Sequence, residues 1–131
     1  MSIHLYNVTK RYENTPVVDD VSLEIEQGEL FVLLGPSGSG KSTILRMIAG
    51  LAPLDGGKIS LNGRDVTHLT PQKRHTGFVF QNYSLFQHMT VAQNIGFGLE
   101  IQKMPRAQRK ERVDELLALI EMQETRCIAP R

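Results

Sequence analysis

The stretch Gly35-Pro36-Ser37-Gly38-Ser39-Gly40-Lys41-Ser42 satisfies every fixed position of the pattern G-x-x-x-x-G-K-[ST]. Its neighbours suit it. Residues 30–34, Leu-Phe-Val-Leu-Leu, read as a buried strand, and Thr43-Ile44-Leu45-Arg46-Met47-Ile48-Ala49 reads as a helix. Glycines let the backbone turn with its N–H groups facing inward, and the helix N-terminus adds positive potential, so the stretch is a concave site for phosphate oxygens. Lys41 is then expected to reach the outer phosphates of a nucleotide, and the Ser42 hydroxyl to ligate Mg²⁺. A glycine-rich turn that matches by chance is the bland alternative. The strand before it and the helix after it weigh against that reading.

Working outward, 131 residues with 40% hydrophobic and 22% charged side chains suit one globular domain able to bury a core. A formal net charge of +1 offers no electrostatic case for nucleic acid, and the basic run at residues 106–112 is interrupted by Glu111, which suits a solvated helix face. Cys127 is the one cysteine, so no intramolecular disulfide forms, and a reducing compartment is compatible. Residues 1–10 lack the pattern of a signal peptide, and no apolar run approaches the ~20 residues of a bilayer span. Service to a membrane would go through a partner.

Before the loop, residues 2–8 alternate towards a strand, residues 9–14 look like a polar loop carrying Tyr12, and residues 17–25 resume period two. Taken on the residues alone, Tyr12 is simple surface packing. After the loop helix, Gly50 ends the helix and residues 58–61 followed by Asn62-Gly63 read as a hairpin arm. Pro71 suits the first turn of a short helix. Residues 76–80, Thr-Gly-Phe-Val-Phe, are a second candidate buried strand that ends at Gln81, at a strand's carboxyl end where ligands of open α/β sheets bind; a loop residue capping backbone groups is the plainer reading of Gln81.

Residues 82–89 carry Tyr83, Leu85, Phe86 and Met89 without period, either tucked in or presented to another protein. Thr90 is a fair N-cap for a helix over 91–99, weakened by Gly96 and Gly98. Behind Pro105, Val113, Leu116, Leu117 and Ile120 form one apolar stripe on a helix over 107–122, and residues 124–131 are expected to fray.

Taken together these motifs closely resemble the first half of the nucleotide-binding domain of ATP-binding cassette (ABC) transporters, in the importer branch that takes up small solutes such as sulfate, iron, polyamines or sugars. The resemblance runs to about residue 124. It implies an α/β fold of the phosphate-loop NTPase type: a mixed sheet with an antiparallel β subdomain and flanking helices, its core incomplete. Residues 1–131 would be a partial ATP-binding domain that reaches the start of the helical subdomain. It also implies that Tyr12, in Val8-Thr9-Lys10-Arg11-Tyr12, stacks on adenine, reversing the plain reading, while residues 35–43 hold the phosphates. Gln81 would contact Mg²⁺ or the attacking water and relay nucleotide state. The segment from Asn82 to Val91, with Asn94-Ile95, would dock the coupling helix of a transmembrane permease subunit. The implied partners are ATP, permease subunits and a second copy in the intact family; the implied place is the cytoplasm, peripheral on the inner face of the membrane.

The resemblance also calls for a Leu-Ser-Gly-Gly-Gln signature, an apolar strand ending in Asp-Glu, and a switch histidine. No stretch after Gln81 resembles the signature, neither residues 51–55 nor 118–121 supply the acidic strand, and His4, His68, His75 and His88 sit elsewhere. The chain is therefore expected to be truncated, with nucleotide binding retained and autonomous hydrolysis lost. Two alternatives stand beside the importer subunit: a small phosphate-loop kinase of a metabolite, and a non-catalytic nucleotide-binding fragment.

Overall fold

The computed structural model describes residues 1–82 and 84–130. The chain divides into two compact units, residues 1–78 and 79–131.

The first unit begins with β1 (Ile3–Tyr12) and β2 (Thr15–Ile25), an antiparallel ribbon paired from Ile3 opposite Ile25 to Tyr12 opposite Thr15. The expected polar loop at 9–14 is thus mostly strand. Only Glu13 and Asn14 turn, both at positive φ, the geometry of a two-residue hairpin loop matched to strand twist. Period two breaks at Asn7, at positive φ, where the ladder shifts register between Leu5 and Val8; its side chain donates to Asp20 Oδ1 at 2.7 Å across the bulge. The bulge puts both Leu5 and Val8 into the core.

β3 (Gly56–Leu61) pairs with β1, and β4 (Arg64–Asp65) pairs with β3 through the expected Asn62-Gly63 turn, giving an antiparallel sheet ordered β2-β1-β3-β4. Helix α1 (Lys41–Ala49) buries Ile44, Met47 and Ile48, the i, i+3, i+4 set, in a core with Leu5, Val8, Val18, Ile59, Leu61 and Val66. The short helix α2 (Pro71–Arg74) starts on Pro71, as expected. It delivers Arg74 beneath the end of α1. There its guanidinium donates to the carbonyls of Met47 (2.7 Å), Ile48 (2.9 Å), Leu69 (2.9 Å) and Thr67 (3.1 Å). Burial lowers the Arg74 pKa from its ordinary value.

The two runs expected as buried strands, 30–34 and 76–80, enter no ladder among the described residues. Leu33 packs against the core, but Leu30 and Leu34 are 89% and 88% exposed. A strand exists only beside another, and the sequence between these runs supplies two helices and a ribbon that pairs with β1. The class of fold holds while these two elements of it do not form.

In the second unit, α3 (Val91–Ile101) and α4 (Arg106–Leu119) pack against each other. Thr90 caps α3 in a reciprocal box with Gln93. Gly96 is not a weakness here: a Cβ on it would lie 3.3 Å from Val113 Cγ2, so its bareness lets the helices approach. Of the expected stripe on α4, Val113 and Leu117 are buried, whereas Ile120 lies past the helix end and is exposed. The tail does not fray as expected. After a 3₁₀ turn at Gln123–Thr125, the carbonyls of Arg126 and Ile128 accept the N–H groups of Ala92 and Val91, which α3 cannot satisfy internally, and Arg126 pairs with Asp114.

Candidate functional site

Gly40 is the residue on which the loop turns into α1. Its φ is +85°, and a Cβ there would lie 2.5 Å from the Val17 carbonyl oxygen and 3.2 Å from Val18 Cγ2. Only glycine brings the loop this close to β2. No side chain caps α1, so the amides of its first turn are free of local competition and carry the positive end of the helix dipole.

The Lys41 ammonium folds back over the loop. It donates to the carbonyls of Gly35 (2.8 Å) and Pro36 (2.6 Å) and to Ser39 Oγ (3.1 Å), while the Ser39 N–H donates to the Pro36 carbonyl at 3.4 Å. The stretch 35–42 is a closed loop with its cation inside. Gly38 and Ser39 form its tip, Ser37 is exposed, and the Ser42 and Thr43 side chains stand on the first turn of α1. Such a loop can exchange the lysine's carbonyl partners for anionic oxygens, which make shorter and stronger bonds to an ammonium.

Tyr12, 48% exposed, ends β1 with the Lys10 Nζ over its ring, 5.4 Å from the centroid. The ladder ties it to the loop: Val18, opposite Lys10 on β2, is the residue against which Gly40 rests. The first unit therefore brings Tyr12 and residues 35–43 onto one scaffold. Gln81 belongs to the second unit, exposed in a turn rather than at a strand end. No group of His, Cys, Asp or Glu able to hold a metal ion occurs among the described residues.

An apolar groove of about 590 Å³ runs beside α1, walled by Leu45, Ile48, Phe31, Leu33 and Phe78, and reaches Lys41 and Ser42. In the second unit, the segment before α3 is organised by Asn94. Its Oδ1 accepts the Phe86 N–H at 2.9 Å, and its Nδ2 donates to the carbonyls of Phe86, Met89 and Thr90. The Phe86 ring lies tilted against Phe97, centroids 4.6 Å apart, and Leu85 stays exposed. This segment is tucked in and presented at once. Tyr83, also expected in it, lies outside the described residues, as does Arg131.

Sequence reasoning assigns no site role to Lys10, Asp55 or Arg74. The sequence reads Asp55 as part of a turn at 53–57 and not as the acidic strand end, and in the structure its carboxylate binds Lys10 Nζ (3.1 Å) and the Arg11 N–H (2.7 Å). A lysine two residues before the aromatic was the available signal. Nothing in residue type alone marked Arg74.

A family model described as ABC transporter matches residues 18–129. Among curated proteins, the chain is 55% identical over 123 residues to a sulfate/thiosulfate import ATP-binding protein CysA of Synechocystis sp., covering 94% of this chain and 35% of that protein. It is 47% identical over 122 residues to a spermidine/putrescine import ATP-binding protein PotA of Aggregatibacter actinomycetemcomitans, covering 93% of this chain and 33% of that one. Among solved structures, a dimeric post-hydrolysis state of the ATP-binding cassette MJ0796, bound to ADP and Pi, aligns with a TM-score of 0.86 at 30% identity, over 98% of this chain and 61% of that one. The chain thus spans about a third of the length of these curated relatives. The match sets the metabolite-kinase alternative aside: with the loop, its helix and the ribbon before it all in the matched arrangement, this chain belongs to the ABC transporter family.

Proposed function

We propose that this chain is the nucleotide-binding portion of the ATP-binding subunit of an ABC importer. The observation that carries the reading is the Lys41 ammonium folded into a loop of main-chain carbonyls at the uncapped start of α1. ATP would exchange those carbonyls for its outer phosphates, with residues 35–43 around the chain of phosphates and Tyr12 under the adenine. Mg²⁺ fits this donor set as an ion brought by the nucleotide. Few protein oxygens are offered, and the Ser42 hydroxyl stands at the helix start with no hydrogen bond of its own among the described residues. Ser42 would hold it, and the ion would draw charge from the phosphate oxygens.

Relatives named for sulfate/thiosulfate and for spermidine/putrescine match over 94% and 93% of this chain, so these residues do not single out one solute. The segment at 84–95, stiffened by Asn94 with Leu85 outward, suits docking on a transmembrane permease subunit, which would hold the chain at the cytoplasmic face of the membrane. No described helix is long and apolar enough to cross a membrane. A second copy would complete the assembly, as in the dimeric structural neighbour.

Calorimetric titration with Mg·ATP, beside Lys41→Ala, tests the reading. Binding is expected in the parent chain and its loss, at least tenfold in Kd, in the variant. Equal affinity in the two would overturn it.

A further inference from the structure

We propose that Lys10, held in place by Asp55, is a positioning residue for the nucleobase platform Tyr12, so that these two residues contribute to affinity for the base and not for the phosphates. The inference rests on the reading of Tyr12 as the adenine platform.

Asp55 follows α1 in sequence yet gathers the end of β1. Its N–H donates to the Thr9 carbonyl at 3.0 Å, its Oδ2 accepts the Arg11 N–H at 2.7 Å, and its Oδ1 accepts Lys10 Nζ at 3.1 Å. These bonds lower the Asp55 pKa from its ordinary value, the Arg11 backbone N–H first and Lys10 second, so the carboxylate keeps its charge. Lys10 is one of few buried charged residues. Its ammonium lies over the Tyr12 ring at 5.4 Å, within the range of cation–π attraction.

A buried cation behind a half-exposed ring has two effects. It fixes the rotamer of Tyr12, so that less freedom is lost when a base stacks. It also covers the inner face, leaving the solvent side for the incoming base. The same strand position relates platform to cradle, since Lys10 pairs with Val18 and Val18 abuts Gly40. The separation between base and phosphates is thereby built into the ribbon.

The experiment compares Kd for Mg·ATP with Kd for Mg·triphosphate, which has no base, in the parent chain and in Tyr12→Ala, Lys10→Met, Lys10→Arg and Asp55→Asn, with melting curves for each. Lys10→Met and Asp55→Asn are expected to weaken ATP about two- to fivefold and leave triphosphate unchanged, with Lys10→Arg recovering most of the loss. Tyr12→Ala should bring the two ligands close to equal affinity. If Tyr12→Ala leaves the ratio as it was, the platform reading fails and this inference falls with it. If Tyr12→Ala removes the preference while Lys10→Met and Asp55→Asn keep it, or weaken both ligands alike, the platform stands and the role of Lys10 is overturned.

Discussion

Arg74 Nη1 donates to the carbonyl oxygen of Met47 at 2.7 Å, a buried bond between residues 27 positions apart. With its companion to Ile48, it helps satisfy the end of α1, where the Met47 carbonyl also accepts the Gly50 N–H at 3.1 Å. A methyl on Gly50 would lie 2.6 Å from Arg74 Nε, so the glycine that ends α1 also makes room for the guanidinium. The helix that begins at the phosphate loop is therefore anchored at its far end by a residue just before the run at 76–80.

Replacing that guanidinium should be costly. Arg74→Met orphans the buried Ile48 carbonyl and leaves the Met47 carbonyl with only the Gly50 N–H, and urea unfolding is expected to show a loss of roughly 1–3 kcal/mol. Arg74→Lys should recover only part, because one ammonium cannot serve carbonyls on both α1 and residues 67–69. Parental stability in Arg74→Met would show that the bonds contribute nothing net.

Gly40→Ala places a Cβ 2.5 Å from a backbone oxygen that cannot swing away and holds alanine at φ +85°. The expected result is a loss of roughly 1–3 kcal/mol in thermal unfolding, with weaker ATP binding as the loop lifts from β2. A variant that melts like the parent would mean that β2 yields at Val17.

Acid should act on Asp65. The Thr67 hydroxyl and N–H, then Lys58, hold its carboxyl down from 3.8 to about 2. The unfolded chain takes up this proton near 3.8 and the folded chain only near 2. The stabilisation is thus full above the upper value and disappears as pH falls through the lower one. Asp65→Asn should melt below the parent at about pH 6, and the gap should close by about pH 2. A gap independent of pH would remove the linkage.

The apolar run at 30–34 separates burial from exposure within one stretch. Leu30→Ser with Leu34→Ser should reduce binding of a hydrophobic dye and concentration-dependent association, with little change in melting temperature, since both side chains stand in solvent. Leu33→Ser should lower the melting temperature, because that side chain packs on the core. Sedimentation and melting curves check both, and equal effects at all three positions would contradict the arrangement.

Local chemistry was legible wherever neighbouring residues decide the outcome. The glycines and lysine of 35–42, the turn at Asn62-Gly63, Pro71 opening α2 and Thr90 capping α3 each act within a few residues of themselves, so sequence determined them. Tertiary structure decided what depends on distant partners. Residues 30–34 have a strand's composition but no strand beside them among the described residues, Gly96 is a contact surface only because Val113 arrives there, and Asp55 serves Lys10 only because β3 lies next to β1. The physical reason is that a phosphate loop is built from the conformation of consecutive residues, whereas ladders, buried ion pairs and helix contacts exist only after the chain has brought separated segments together.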